Sequence, residues 1–311
     1  MSVDELRRMT EEHLEELVHE IEDGRCIAFV GAGFSFPAKL KGWMDLLKAA
    51  TEHVPANARN RPAIEDTLSK EKASHRELEA AGQLIQDALG PARFREAVSQ
   101  ALKVDNDALP EAYLRRRRSL LQVPFYAILT TNFDPLLSGK LPTPSTYRRL
   151  LRGPPRGPWD RRYWPGHGDP EVVQLHGKVG TEQLVFARRD YRELLFANPG
   201  YLTFLKALFA TKTVVFMGFS FRDAYVDLLR SELIQLVEPP RARSAEPPAL
   251  SYAFMTELSA AEARYYREHE GMRVLYYEAD DNHVALDDLL ERLAGLTNPV
   301  LGLAERLSRH H

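Results

Sequence analysis

Ser35, Asn132, Asp134, His176, Ser220 and Asp223 each stand just after an apolar run that reads as a strand. Hydroxyls, an amide, carboxylates and an imidazole gathered in one place can donate, accept, carry charge and move a proton near neutral pH. Ser35 closes the turn Gly31-Ala32-Gly33-Phe34-Ser35, which follows five unbroken apolar residues, Cys26 to Val30. A glycine turn after a buried strand lets backbone approach a pyrophosphate closely, with amides pointing at the charge. An ordinary tight turn fits the same residues, and Phe36 stands where a dinucleotide fingerprint expects its third glycine. The other groups have plain uses too. Asn132 and Asp134 fit an Asx turn capping a helix that starts at Pro135, His176 a satisfied buried histidine, and Asp223 a structural cap.

The elements that must position these groups alternate. An amphipathic helix over 4–22 places Leu6, Met9, Leu14, Leu17 and Ile21 on one face and ends at Asp23-Gly24. Trp43, Leu46, Leu47 and Ala50 mark a second helix beyond the glycine turn. Residues 51 to about 122 are rich in Ala, Glu, Arg and Leu at helical spacing, and read as a helical insertion. Within it, Arg115 to Arg118 read as a solvated helix end. Further strands are expected at Phe125–Leu129, Val172–Leu175, Gln183–Phe186, Thr213–Met217, Tyr252–Met255 and Arg273–Tyr277. Helices are expected from Tyr191 to about Phe209, after Asp223 through Leu236, between the last two strands, and from about Leu286 to Ala294. Two loops rich in proline, 138–170 and 237–250, lie between them; the first carries arginines and Trp159, Tyr163 and Trp164. Uniformly apolar strands alternating with helices predict an α/β fold: a Rossmann-like, doubly wound, mostly parallel sheet with a helical insertion. Such sheets bind ligands beyond the carboxyl ends of their strands, where all six polar residues fall.

Composition narrows the classes. A formal net charge of −3 gives no global argument for nucleic acid or an anionic membrane. Steep salt dependence of binding would be the mark of a nucleic-acid role for the arginine-rich stretch 148–162, which nothing else supports. No apolar stretch is long enough to span a bilayer and no leader is apparent, so a cytoplasmic protein is expected. The single cysteine, Cys26, reads as a small core residue; it excludes an intrachain disulfide and a zinc site built from several cysteines.

Four motifs in order, Gly31-Ala32-Gly33-Phe34-Ser35, Thr131-Asn132-Phe133-Asp134, Leu175-His176-Gly177 and Gly218-Phe219-Ser220, resemble those of the sirtuins. More closely, with Trp43, Leu46-Leu47, Asp190-Tyr191 and Phe221-Arg222-Asp223, they resemble the bacterial sirtuin-like branch of antiphage defence, over roughly residues 25 to 290. Protein-deacylating sirtuins carry a four-cysteine zinc module after the histidine motif, and an Asp-Phe-Arg element after the glycine motif. Neither is found here, and no zinc is expected.

The resemblance implies a catalytic domain over 1–50 and 122–311, with 51–121 as the insertion, that hydrolyses NAD as its substrate to nicotinamide and ADP-ribose. Asn132 and His176 would be catalytic, His176 as general base and Asn132 positioning water and ribose hydroxyls. Asp134 would accept from the nicotinamide amide or stabilise the sugar cation. Gly31, Ala32, Gly33, Ser35, Thr131, Gly218, Ser220 and Asp223 would hold the rest of the dinucleotide. A toxic effector role, halting an infected cell by NAD depletion, implies control by homo-oligomerisation or by a regulatory ATPase or nuclease partner. A module that senses NAD or ADP-ribose without turnover, and a protein deacylase, are the alternatives.

Overall fold

A computed structural model describes residues 3–71, 73–103, 109–137, 172–177, 184–194, 199–219, 249–280 and 283–298. Among these lie six strands: β1 (Cys26–Val30), β2 (Ala127–Thr130), β3 (Val172–Gln174), β4 (Thr213–Met217), β5 (Ser251–Met255) and β6 (Met272–Tyr276). All pair in parallel, in the order β3-β2-β1-β4-β5-β6, the order of a doubly wound dinucleotide-binding sheet. The topological switch point lies between β1 and β4.

The strand residues alternate between two cores, as a period of two requires. Cys26, Ala28, Val30, Ile128, Val215 and Met217 face one side, against Leu14, Leu17 and Ile21 of α1 (Val3–Glu22), Tyr113 and Leu120 of α6 (Glu111–Gln122), and Leu286, Leu290 and Leu293 of α10 (Val284–Thr297). Ile27, Phe29, Ala127, Leu129, Val214 and Phe216 face the other, against Tyr201, Leu205 and Phe209 of α8 (Pro199–Thr211). Both faces are covered, which is why the strands read as continuous apolar runs. The helix α9 (Ala260–Glu270) crosses from β5 to β6 and packs Ala260 and Ala263 on Leu6, Met9 and Val274.

A third core joins α2 (Trp43–Thr51), α3 (Arg61–Ser69), α4 (His75–Leu89) and α5 (Pro91–Ala101), built on Leu47, Ile64, Ile85, Phe94 and Val98. Phe186 anchors it, packing on Phe94, Trp43 and Phe133 with ring centroids 5.4, 6.0 and 5.1 Å away.

Three expectations need correction. The Arg115–Arg118 run is not a uniformly solvated helix end. Tyr113, Arg116 and Leu120 share the buried face of α6, and Arg116 is completely buried in an ion pair with Asp287. Arg115 and Arg118 do face outward, paired with Asp288 and Glu291 and with Glu111. The helix expected from Tyr191 starts earlier, with α7 (Arg188–Arg192), and α8 covers its far part, while 195–198 lie outside the described residues. Asp190 sets the early start: its carboxylate accepts from the amides of Phe186 (3.2 Å) and Ala187 (2.8 Å), capping α7 from within. Pro199 opens α8 where its missing N–H costs nothing. At 184–186 the described chain makes one antiparallel bridge, Gly177 to Leu184, rather than a strand. The loop over 138–170, the helix expected through Leu236 and most of the loop over 237–250 lie outside the described residues.

Candidate active site at the carboxyl ends of the first three strands

Thr130 ends β2 and starts the site. Its hydroxyl donates to Val30 O (2.8 Å) and accepts from the amide of Asn132 (3.0 Å), turning the chain off the sheet. Gln174, a polar residue in β3, donates to Asp134 O (2.8 Å) and Asn132 O (3.4 Å), so the neighbouring strand fixes the same turn. Within the turn Asp134 Oδ1 accepts from the amide of Leu136 (3.1 Å), the Asx turn the sequence allowed. Residues 135–137 form no helix.

The side chains form a buried polar chain. Asn132 Nδ2 donates to Gly31 O (3.2 Å) and to Ser35 Oγ (3.2 Å), and Ser35 Oγ donates to Asp134 Oδ2 (3.5 Å). Gly31 O can only accept, so the amide group must face it and the carbonyl must face away. Asn132 Oδ1 is buried and has no partner among the described residues. A buried acceptor left open is costly, and a water, an ion or a ligand group is what completes such an acceptor. Burial pushes the Asp134 carboxyl above its ordinary pKa, against the opposing bonds from Leu136 and Ser35.

His176 follows β3 and is buried in an aromatic slot. Its ring meets Tyr191 of α7 edge-on at 5.1 Å and Phe133 at 6.3 Å. Val185 donates its amide to His176 O (2.8 Å), and Gly177 turns the chain at φ +81°. Gln86 of α4 reaches Asp190 Oδ1 at 3.3 Å, tying the helix that carries Tyr191 to the helical layer.

The glycines do something different. Gly31 and Gly33 donate their amides to Met217 O (2.8 Å) and Gly218 O (2.9 Å), so these two N–H groups are committed to the end of β4. A Cβ on Gly31 would sit 2.7 Å from Gly218 O, and one on Gly218 would sit 2.3 Å from Phe34 N, at a backbone φ of +70°. Three glycines therefore close the switch point backbone to backbone, with Phe219 packed at a tilt against Phe29, ring centroids 5.1 Å apart, beside them. Ala32 and Gly33 remain exposed at the rim. Thr131 is half-buried, its amide extending the ladder to Val30 O (3.3 Å). Ser220 and Asp223 lie outside the described residues.

Three further residues serve the site: Thr130, Gln174 and Arg116. Gln174 carried a signal, as a polar residue inside an apolar strand. Arg116 Nη1 donates to Phe34 O (3.3 Å) and Nη2 to His283 O (2.9 Å), clamping the glycine turn to the start of α10. Its position three residues after Tyr113 and four before Leu120 could have marked it, but its partner Asp287 is distant in sequence. Among the described residues no group of three His, Cys, Asp or Glu side chains could hold a metal ion, and no helix is long and apolar enough to cross a membrane. Two surface hollows lie on the helical layer, around Arg61 and Glu65 and around His53 and Arg93.

Residues 126–275 match the family model of the SIR2-like domain. The chain is 23% identical over 228 residues to the NAD(+) hydrolase ThsA of Acinetobacter baumannii (strain 532279), covering 71% of this chain and 41% of that protein. It is 25% identical over 221 residues to the NAD(+) hydrolase ThsA of Enterococcus faecium, with 68% and 41% covered. The protein of the same name from Cytobacillus dafuensis is 22% identical over 285 residues, with 89% and 50% covered. The chain thus spans half the length or less of the curated relatives it matches. Ordered motifs, a parallel sheet in dinucleotide-binding order and the family match converge on residues 126–275 as a stretch similar to the SIR2-like domain.

Proposed function

We propose that the chain cleaves the bond between nicotinamide and ribose in NAD, releasing nicotinamide and ADP-ribose. The observation that carries this reading is the open, buried acceptor Asn132 Oδ1, fixed at the strand ends close to His176 in sequence-distant but adjoining turns of β2 and β3. The nicotinamide leaves as a neutral pyridine and needs no general acid, so the enzyme has three tasks: hold the dinucleotide, stabilise an oxocarbenium-like sugar and deliver water. Asn132 Oδ1 accepts from a ribose hydroxyl or from the attacking water, because its amide hydrogens are already used on Gly31 O and Ser35 Oγ. His176 serves as general base toward that water or hydroxyl, its ring kept in place by Tyr191 and Phe133. Asp134 faces the developing cation or the nicotinamide amide; a positive charge nearby would oppose the effect of burial and favour its ionised form. Ser35 and the exposed rim at Ala32-Gly33, with Thr131, Gly31, Gly218, Ser220 and Asp223, hold the remaining dinucleotide.

The relatives' printed names support hydrolysis over acyl transfer, and the absence of a cysteine module from the sequence agrees. In a cell the reading is a cytoplasmic antiphage effector that depletes NAD, held in check by self-assembly or by a partner ATPase or nuclease. Of the insertion read over 51–121, α3, α4 and α5 share a core with α2 that meets the site through Phe186 and Asp190, whereas α6 packs on the sheet. Chromatography of NAD incubated with the purified chain, with no acylated peptide present, tests the reaction. Nicotinamide and ADP-ribose should appear in equal amounts and vanish with His176→Ala. A requirement for acylated peptide would replace hydrolysis by deacylation, and NAD binding without turnover, alone and with candidate partners, would make the chain a sensor.

A further inference from the structure

Behind the polar chain lies a group that the proposed reaction does not use. Tyr113, on α6, is 0% exposed, and its hydroxyl meets hydrogen-bond geometry with no described residue although it lies beside Ser35 and Asp134. Burial and the neighbouring Asp134 push its phenol well above the ordinary tyrosine range, so it is a donor at any working pH. The helix that carries it cannot drift, because Arg116, one turn further along, is bonded to Phe34 O, to His283 O and to Asp287.

Ser35 has one hydroxyl proton, and it is given to Asp134 Oδ2 across 3.5 Å. If Ser35 turns that proton to a ligand oxygen, Asp134 Oδ2 loses its donor in a place where burial already disfavours charge. We propose that Tyr113 is a positioning residue of this site: its hydroxyl takes over as donor to the Ser35–Asp134 pair when Ser35 engages the ligand, holding Asn132 and Asp134 in register during the reaction. The inference rests on the NAD reading above. It also explains why a hydroxyl is kept where phenylalanine would fill the same volume, since an unpaired buried hydroxyl destabilises a resting fold.

The test is Tyr113→Phe beside wild type, read by nicotinamide release at varied NAD and by thermal unfolding with and without NAD. The expected result is kcat lower by about tenfold, the weight of one hydrogen bond to a charged group, with KM within about twofold. Tm without NAD should be unchanged or higher. Equal kcat overturns the proposal, and so does a lower kcat accompanied by a lower Tm, which would make the hydroxyl a structural anchor. If wild type binds NAD without releasing nicotinamide, the hydrolase reading alone falls. The NAD-induced rise in Tm then decides: a smaller rise in Tyr113→Phe supports the positioning role, an equal rise overturns it. If wild type does not bind NAD, both readings fall.

Discussion

Strand β1 has two neighbours, and its carboxyl end meets them by opposite means. Toward β4 the contact is backbone on backbone: Gly31 and Gly33 pack on Gly218 with both amides consumed and no room for a Cβ. Toward β2 the contact is made by side chains, Thr130, Asn132, Ser35 and Asp134, joined by hydrogen bonds and leaving one buried acceptor open. The difference separates two jobs within one glycine-and-serine motif. The glycines bring two strands' ends together; the chemistry is set on the other side.

The contrast is broken most severely on the packed side. Gly218→Ala would place a Cβ against Phe34 N in a left-handed backbone, so the 3-10 turn over Ala32–Ala38 must move. The expected loss is on the order of 4 kcal/mol in denaturant unfolding, from overpacking and backbone strain together. Full stability in this variant would show that the switch point is looser than described. Arg116→Met comes next. It leaves Asp287 buried without its cation and should cost about 3 kcal/mol, most of it regained in Arg116→Met/Asp287→Leu, as for buried pairs replaced by apolar groups. A double variant no better than the single one would mean that the bonds to Phe34 O and His283 O, not the charge pair, are what matter.

On the polar side the expected stability effect is small and of opposite sign. Asp134 has its folded pKa raised by burial, so the folded state holds its proton more tightly than the unfolded chain. That contribution is fully present below the unfolded carboxyl pKa and is lost as pH rises through the raised folded value. Asp134→Asn should therefore match wild type in acid and equal or exceed it in Tm toward neutral pH, with a flatter Tm–pH curve between. A variant that is less stable at neutral pH would show that the ionised carboxylate holds the turn together.

Much of this division was legible in the chain itself. Apolar runs ending in Ser35, Asn132, Asp134 and His176 located the strand ends and hence the edge where the polar groups gather, because a parallel sheet buried on both faces leaves no ambiguity of pattern. The glycines were legible as tight spacing, but not the identity of what they approach; Gly218 lies far along the chain from Gly31, and only pairing brings them together. Arg116 and Tyr113 were hidden for a related reason. Four consecutive arginines look solvated, and a buried guanidinium becomes tolerable only where the fold supplies Asp287 and two carbonyls. The early start of α7 depended on Asp190 reaching back to two amides, a cap that residue type alone does not distinguish from a surface carboxylate.

The most direct measurement is nicotinamide release at saturating NAD by Asn132→Ala, with thermal unfolding recorded on the same samples. Loss of the open acceptor should lower turnover by about 100-fold or more while the protein stays folded at the assay temperature. Turnover within a few-fold of wild type in a folded Asn132→Ala would contradict the assignment of the chemistry to the β2 side of β1.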